Sequence, residues 1–482
     1  MKHLLSLLFT LSVAATAIGQ GNNFLSSQGQ DELLKYYQAS ESNTIKLLAP
    51  QTNKTIEAAY LNLYGLFLSY QANEQYLLAE IFHKRIVEFK EQHYNKDRFR
   101  LMHSTLLIQQ TLLYWTDEEY GKGIQSFFKA HRLIKQESNL TFKAEQQKTK
   151  ALMTIFMSQI PEQYQFWASL FGLEGNLSEG FKMLAEYQQK VKNQKALSIE
   201  ASLINAYCQL KFSQANDEDV LKLMQASKDN ASPLLSFVIA SLAIKNQMGD
   251  VGLNYLKDID EQAKHSFPLL AYLKGRLLLN KLDSSCIQHL QFFELNYKGN
   301  SFKADALMRQ AWWFHINDQH EMRDSLMSRV KSQSKAPTAN DKQAQKEVTT
   351  LQNEPITLLK ARLLFDGGYF SLAKELLAEM DATNLNQYDQ STYFYRNGRV
   401  LQKLEQHQEA IKSFDQVILL TQDDKRYIGP YAALEAAKTS WFLKLKKQTI
   451  RYLDIANELN TGEYKSDVQK EINQLKLLLQ DK

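Results

Sequence analysis

Apolar residues recur every three or four positions along most of the chain, the spacing of a helix that buries one face. In one clear example the apolar positions are Leu401, Leu404, Ile411, Phe414 and Ile418. Alternating apolar and polar runs of strand length, bounded by turn residues, do not occur. The pattern predicts an all-α protein.

Five of the seven prolines share one place in a recurring pattern, six or seven residues before a small residue. Proline is tolerated in the first turn of a helix because the N–H that it lacks would be unpaired there. We therefore expect a helix to begin near each of these prolines. The pairs are Pro161 with Ala168, Pro233 with Ala240, Pro268 with Gly275, Pro355 with Ala361, and Pro430 with Ala437.

Two further positions follow each first small residue, 12 and 16 residues later, and most hold a small and then a large apolar residue. The best-formed unit has Gly398, Ala410 and Phe414 at the three places. Each unit therefore reads as two helices that cross at small side chains. The later positions in the proline-led units are Gly180 and Leu184, Gly252 and Leu256, Ile287 and Gln291, Ala373 and Leu377, and Thr449 and Leu453.

Most intervals between successive first small residues are 35–39 residues, and one is 34, which is the length of one helical hairpin. The exception is the interval from Ala311 to Ala361, which contains a polar stretch with Pro337 and no apolar periodicity; we interpret residues 331–355 as a polar linker or loop insertion. The full series is Ala168, Ala206, Ala240, Gly275, Ala311, Ala361, Gly398 and Ala437.

These observations divide the chain into five parts. Residues 21–160 form a divergent N-terminal helical region with an extra helix around residues 143–159, and residues 161–330 form repeats. Residues 356–482 form C-terminal repeats with a capping helix, after the linker at 331–355. Residues 1–20 are a signal peptide.

The repeat spacing resembles the tetratricopeptide repeat, a unit of about 34 residues with a helix, a turn and a helix. The resemblance rests on the two small residues and on the large apolar residue that follows them. The chain departs from the family because proline begins the first helix and because the tryptophan and leucine of that helix are mostly missing. The resemblance implies a right-handed superhelical solenoid in which the first helix of each unit lines a concave groove.

Two blocks are similar to a narrower eukaryotic tetratricopeptide-repeat family, the one that includes the fungal inclusion-body clearance protein. They are the segment from Arg426 to Leu453 and the segment FGLEGNLSEGFKML at 171–184. Membership of that family would imply an adaptor without catalytic residues.

The first 20 residues have the features of a secretory signal peptide: Lys2, an apolar run from Leu4 to Ala14, and small residues up to Gly19. The apolar run is shorter than the roughly 20 residues of a membrane span. No cysteine follows it, so a lipoprotein is not expected. We expect an exported protein, periplasmic or extracellular, without an integral membrane segment after cleavage.

Charge and cysteine usage exclude two classes of protein. The chain has 57 basic and 53 acidic residues, a net charge of +4, which lacks the basic excess of a nucleic-acid-binding protein. Its two cysteines, Cys208 and Cys286, cannot form a disulfide framework and lie in apolar helical contexts, where we expect small buried side chains.

No catalytic motif appears: GxSxG, HExxH, GxxxxGK and CxxC are all missing. We predict no catalytic residue, no metal site and no cofactor. His315 and His320, with Asp318 between them, offer metal-ligand chemistry. Positions five apart on one helix point about 140° apart, so we interpret the histidines as structural.

A cation directly follows the first small residue in four units, and a tyrosine precedes two of these cations by four residues. If these positions face a groove, they suit an acidic segment or a terminal carboxylate, because guanidinium groups form paired hydrogen bonds with carboxylates. The alternative is that the cations pair with acidic neighbours such as Asp366. The candidate binding residues are Arg276, Arg362, Arg399, Lys438, Tyr272 and Tyr395.

The leading functional hypothesis is a non-enzymatic scaffold of the bacterial cell envelope that holds a protein or peptide. One alternative is a glycan-capturing helical-repeat protein that partners an outer-membrane transporter. A further alternative is an enzyme whose carboxylates cannot be paired from sequence.

Overall fold

The computed structural model describes residues 24–37, 47–48, 55–89, 96–135, 142–158, 175–212, 217–227, 232–257, 259 and 261–480. Every regular element among these residues is helical, and none of them forms a strand. The prediction of an all-α protein is confirmed. The predicted signal peptide, Pro161 and Ala168 lie outside the described residues.

The chain divides into two compact units, which are described separately below. Unit 1 is built from Met1–Leu277, Ser285–Arg309 and Met327–Lys346. Unit 2 is built from Leu278–Ser284, Gln310–Leu326 and Glu347–Lys482.

The first twelve helices in chain order are α1 Ser27–Tyr37, α2 Ile56–Asn73, α3 Tyr76–Glu88, α4 Lys96–Thr116, α5 Tyr120–Lys135, α6 Lys143–Met157, α7 Leu177–Val191, α8 Lys195–Phe212, α9 Asp217–Ser227, α10 Pro233–Lys245, α11 Gly249–Leu256 and α12 Glu261–Ser266. The later helices are α13 Leu269–Asn280, α14 Cys286–Asn296, α15 Lys303–Ile316, α16 His320–Lys331, α17 Ala339–Glu347, α18 Ile356–Asp366, α19 Phe370–Ala378, α20 Gln387–Lys403, α21 His407–Leu420, α22 Ile428–Phe442, α23 Lys446–Leu459 and α24 Lys465–Gln480.

The predicted helix starts are confirmed at four of the five prolines. Pro233 is the first residue of α10, where the Ser232 side chain caps the Leu235 N–H. Pro268 directly precedes α13, Pro355 caps α18, and Pro430 lies in the first turn of α22. The missing N–H therefore falls where no helical acceptor exists.

Recurring hairpins share one turn. Seven residues after the first small residue, the backbone enters the left-handed region, and the next N–H donates to the carbonyl five residues earlier, as in the bond from Gln406 to Leu401 at 2.9 Å. The α4–α5 hairpin repeats this turn with Thr111 and Glu118. The left-handed residues in the repeats are Gln247, Leu282, Asp318, Gly368, Glu405 and Lys444.

The small residues lie where the helices of a hairpin cross, as predicted. A Cβ atom on Gly398 would lie 2.6 Å from the Phe414 ring, and one on Gly275 would lie 2.8 Å from Leu290. Ala373 and Ala410 are fully buried. Close approach of the helices therefore requires these residues.

One detail of the predicted repeat is wrong. In the α13–α14 hairpin the buried residues are Cys286 and Leu290 rather than Ile287 and Gln291, so the second helix is shifted by one residue. Gly180 packs against α6, where a Cβ atom would lie 2.4 Å from Ile155. The helix predicted around residues 143–159 is present as α6, and α7 packs against it, while Ala168 lies outside the described residues.

The segment 331–355, interpreted as a linker or loop, contains helix α17. The buried Asp341 carboxylate accepts hydrogen bonds from Thr338 and from the backbone N–H groups of Phe302 and Asp305. Because hydrogen bonds to the Asp341 carboxylate anchor α17, this short helix needs little apolar surface. Its sequence therefore lacks the regular spacing of apolar residues that would have predicted a helix.

Unit 1 encloses a fully buried charged cluster in which Lys148 pairs with both Glu145 and Glu200. Tyr187 donates a hydrogen bond to Glu200 at 2.7 Å, and its ring lies 5.3 Å from the Lys148 ammonium. All four side chains are inaccessible to solvent. Burial, only partly offset by Lys148, raises the pKa of Glu200 to about 7.

None of the described helices is both long and apolar enough to cross a membrane. Cys208 and Cys286 are both buried and form no disulfide with each other, in agreement with their expected role as small core side chains.

Candidate functional site

Three predicted site cations lie on the first helices of consecutive hairpins in unit 2. Arg362 is on α18, Arg399 on α20 and Lys438 on α22, and each is half-buried. Each follows a buried small residue, which faces the second helix of its own hairpin. One residue further turns the side chain by about 100°, away from that crossing.

Arg362 forms a two-point ion pair with Glu347. The guanidinium donates to the two carboxylate oxygens at 3.0 and 2.8 Å and lies 4.9 Å from the Trp312 ring. Burial favours the neutral guanidine, but Glu347 outweighs it and holds the pKa of Arg362 well above its usual value. This cation therefore already has a carboxylate partner.

Arg399 has different surroundings. It donates a hydrogen bond to the Tyr395 hydroxyl at 3.1 Å, and its guanidinium lies 4.9 Å from the Phe365 ring. Among the residues that the structure describes, no carboxylate lies within salt-bridge distance of Arg399. Aromatic contact and a phenol are weaker partners for a guanidinium than a carboxylate is, so Arg399 retains capacity for an anion.

Lys438 bridges two carboxylates, Glu435 at 2.8 Å and Glu471 at 2.7 Å. Burial opposes ionisation of Glu435, but Lys438 and Arg399 together hold the pKa of Glu435 below its usual value. The alternative that the cations pair with acidic neighbours therefore describes Arg362 and Lys438. Their ion-pair partners are not Asp366 but Glu347 for Arg362, and Glu435 and Glu471 for Lys438.

The remaining predicted residues, Arg276 and Tyr272, belong to unit 1 and lie around Asp305. Tyr272 is almost fully buried, donates to Asp305 at 2.6 Å and stacks on Phe302. Burial opposes ionisation of Asp305, but Arg309 and, to a smaller extent, Arg276 hold the pKa of Asp305 below its usual value. Tyr272 is thus a core residue of unit 1 and is not available to a partner, contrary to its predicted role.

The prediction missed Arg396 and Tyr427. Arg396 lies one turn before Arg399 on α20, and it pairs with Glu354 at 2.5 Å through one guanidinium nitrogen. The other nitrogen, Nη1, is buried and has no hydrogen-bond partner among the described residues. The spacing of three residues from Arg399 is the sequence signal that could have revealed Arg396, because such positions share a helix face.

Tyr427 connects the tyrosines of this surface. Its ring makes edge contacts with Tyr395 at 6.2 Å, Tyr431 at 5.9 Å and Tyr464 at 5.6 Å. Burial and nearby glutamates raise the pKa of Tyr427, although Arg362 and Arg396 oppose the rise. We use the term cation–tyrosine face for Arg362, Arg396, Arg399, Lys438, Tyr395 and Tyr427.

The cation–tyrosine face is close to neutral. Its four cations are matched by the four carboxylates of Glu347, Glu354, Glu435 and Glu471, so it is not an open row of positive charge. Within the part of this face that the structure describes, the unsatisfied donor capacity lies on α20, at Arg399 and at Nη1 of Arg396. This arrangement can accept one carboxylate between tyrosine rings more readily than a long polyanion.

His315 and His320 do not lie on one continuous helix, as the sequence argument assumed, because a turn separates the end of α15 from the start of α16. Both Nδ1 atoms lie 3.2 Å from Nη1 of Arg323. His315 also contacts the Glu354 carbonyl at 2.8 Å through Nε2. The described residues contain no group of three metal-ligating side chains. The guanidinium of Arg323 therefore lies between the Nδ1 atoms of the two histidines.

Comparison of the chain with protein-family models and with curated proteins finds no match.

Proposed function

We propose that the chain is a non-enzymatic scaffold that holds a protein segment on the cation–tyrosine face of unit 2. The observation that carries this proposal is the pair of under-used guanidinium groups on α20. Arg399 is bonded to a phenol instead of a carboxylate, and Nη1 of Arg396 has no acceptor among the described residues. A buried donor without an acceptor is costly, so an incoming carboxylate would recover that free energy.

The surrounding tyrosines support a peptide as the occupant. Tyr427 and Tyr431 are half-buried and carry rings with few rotatable bonds, which would contact a partner at low entropic cost. The carboxylates of Glu347 and Glu435, which already pair with cations of this face, would repel the further negative charges of a polyanion. The expected ligand therefore combines one carboxylate, in a side chain or at a chain end, with apolar side chains.

The proposal extends to architecture and location. The hairpins with one shared turn are compatible with a tetratricopeptide-like solenoid, in which stacked repeats present first-helix residues on one extended surface. Export through residues 1–20 would place this surface in the periplasm or outside the cell.

The test uses the purified full chain on an array of nonamer peptides, each with a free or an amidated C-terminus and with acidic, neutral or basic side chains. We expect retention of peptides with at least one carboxylate and an apolar neighbour. Replacing Arg396 and Arg399 by Gln should abolish that retention. Arg451→Gln on α23 is the matched control, since Arg451 is an exposed cation on a second helix.

Two results would argue against this function. One is a peptide selection that is the same for the double variant and for the control variant. The other is retention of neutral glycans instead of peptides, which would favour the glycan-capturing alternative.

A further inference from the structure

A separate cleft of about 600 Å³ lies in unit 1, between α3 and the α4–α5 hairpin. Tyr76, Glu80 and His83 line it from α3, where spacings of three, four and seven residues place them on one face. Tyr114 lines it from the end of α4, and Asp117, Glu119 and Lys122 follow from the turn and from α5. We name this the α3–α5 cleft.

The aromatic groups of the cleft are held in fixed positions. The His83 ring stacks on Tyr114 with a centroid distance of 4.3 Å and an interplanar angle of 14°. Tyr76 is 63% exposed, so its ring is accessible to a ligand. The cleft thus presents one ordered ring and one exposed ring to a ligand.

His83 is held in one neutral form by its neighbours. The Ser126 hydroxyl donates to the side-chain oxygen Oε1 of Gln110 at 2.9 Å. This bond fixes the Gln110 side chain so that its Nε2 lies 3.4 Å from Nδ1 of His83. Nδ1 is then the acceptor, and the proton resides on Nε2, which has no partner among the described residues. Burial lowers the pKa of His83 to about 4, although Glu119 opposes the shift and Lys122 adds to it, so the ring adds no positive charge at neutral pH.

Negative charge exceeds positive charge in the cleft. The carboxylates are Glu80, Asp117 and Glu119, and the cation is Lys122, which pairs with Glu119 at 2.7 Å. Among the described residues neither Glu80 nor Asp117 forms an ion pair. Burial and the neighbouring Glu119 raise the pKa of Asp117. A cation beside Asp117 would relieve this unfavourable field.

Lys122 shows which kind of cation the cleft accepts. Its ammonium lies 5.7 Å from the centroid of the Tyr114 ring while it bonds to Glu119. Tyr76, Glu80 and Asp117 line the same cleft, and among the described residues neither of these two carboxylates forms an ion pair. A metal ion is a poorer fit, because no group of three metal-ligating side chains converges among the described residues.

We propose that the α3–α5 cleft binds an organic cation, a primary ammonium or a guanidinium, between Tyr76, Glu80 and Asp117. Cation–π attraction to Tyr76 and charge pairing with the two carboxylates provide the affinity. The Nε2 proton of His83 supplies a donor for an acceptor group on the same ligand. The site does not rest on the function proposed for unit 2.

Isothermal titration of the full chain tests the site with three probes: 1,5-diaminopentane, Nα-acetyl-lysine methylamide, and glutarate as a dianion of similar length. We expect both cations to bind and glutarate not to bind. Preference for the diamine would assign the site to free amines, and preference for the lysine derivative would assign it to a side chain of a partner protein.

Variants locate the binding. Asp117→Asn and Glu80→Gln should each weaken it about fivefold, and Tyr76→Leu about threefold. Glu88→Gln should leave it unchanged, because Glu88 is an exposed carboxylate two turns further along α3 and does not line the cleft. Unchanged thermal midpoints would show that the variants remain folded.

The proposal is overturned if neither cation binds at millimolar concentration, or if glutarate binds better than the diamine. It is equally overturned if Glu88→Gln weakens binding as much as Asp117→Asn does, since the effect would then be a general one of surface charge. These results leave the peptide array for unit 2 unaffected, so the two proposals can fail separately.

Discussion

Unit 1 and unit 2 each combine basic, acidic and tyrosine side chains, but with very different exposure. In unit 1 the cluster of Lys148, Glu145, Glu200 and Tyr187 is inaccessible to solvent. In unit 2 the side chain of Arg362 is 28% exposed and that of Lys438 is 39% exposed. The same residue types therefore form an internal structural cluster in one unit and a reachable surface in the other.

The difference shows why a charged residue at a repeat position does not reveal its own role. A buried cation must find its counter-ions within the chain, since removal from water costs several kcal/mol per ion. A half-buried cation can be partly satisfied by rings and hydroxyl groups and can still accept an external anion. Exposure, more than residue type, separates Lys148 from Arg399.

The largest expected effect comes from removing the buried cation. Lys148→Met would leave Glu145 and Glu200 without their counter-ion and should lower the free energy of unfolding by about 3–5 kcal/mol. Urea denaturation at pH 8 measures this. The loss should shrink at pH 5, where the carboxylates can take up protons, and replacing both glutamates by Gln as well should restore stability. A loss under about 1 kcal/mol would show that the cluster is solvated after all.

The pH dependence of stability provides a second test. The pKa of Glu200 is raised to about 7 from the usual 4.5, so the folded protein holds a proton that the unfolded chain releases in this interval. The contribution of Glu200 is therefore fully present below pH 4.5 and is lost as the pH rises to about 7. Glu200→Gln should flatten this decline, as followed by thermal midpoints between pH 4 and 8. An identical decline in the variant would assign it to other groups.

An intermediate effect is expected at Arg362. Arg362→Gln removes the two-point ion pair with the largely buried Glu347 and the cation that covers Trp312, for a loss of about 1–2 kcal/mol. Arg362→Lys should lose less, because it keeps the charge but not the two-point geometry. Chemical denaturation would rank the three proteins. Equal stability of all three would place Arg362 with the binding residues instead of the structural ones.

The smallest effect on stability is expected at Arg399. Arg399→Gln leaves no carboxylate unpaired, so the free energy of unfolding should change by less than about 0.5 kcal/mol. Binding of carboxylate peptides should nevertheless fall about tenfold, measured by fluorescence anisotropy. A large stability loss with binding intact would reverse the roles assigned to Arg362 and Arg399.

Much of the fold could be predicted from sequence because it depends on local rules. Pro233 and Pro430 lie in first turns, where proline is tolerated, and Gly398 and Ala410 lie where two helices cross. The α17 helix escaped prediction since its anchor is the single carboxylate of Asp341, which leaves no period in the sequence. The shift at Cys286 was not predicted because the buried residue of the second helix comes 11 rather than 12 residues after Gly275, although Leu282 keeps the shared turn.

The site was predictable in part. The position after the first small residue correctly identified Arg362, Arg399 and Lys438 as neighbours of a helix crossing, but not the partner of each. Tyr272 and Tyr395 occupy the same place in the pattern and are both buried, but the Tyr272 hydroxyl donates to Asp305 whereas the Tyr395 hydroxyl accepts from Arg399. Ion pairs and hydrogen bonds between helices join residues that are far apart in sequence. The position of one residue within its repeat therefore does not predict its partner.

The sequence by itself determined that this protein is helical, where most helices begin and which small residues allow them to cross, since proline, glycine and apolar period act within one or two turns. The tertiary structure alone decided which charges are neutralised internally and which remain open to a ligand. That outcome depends on distances between side chains and on their removal from water, which arise only when separate helices pack together.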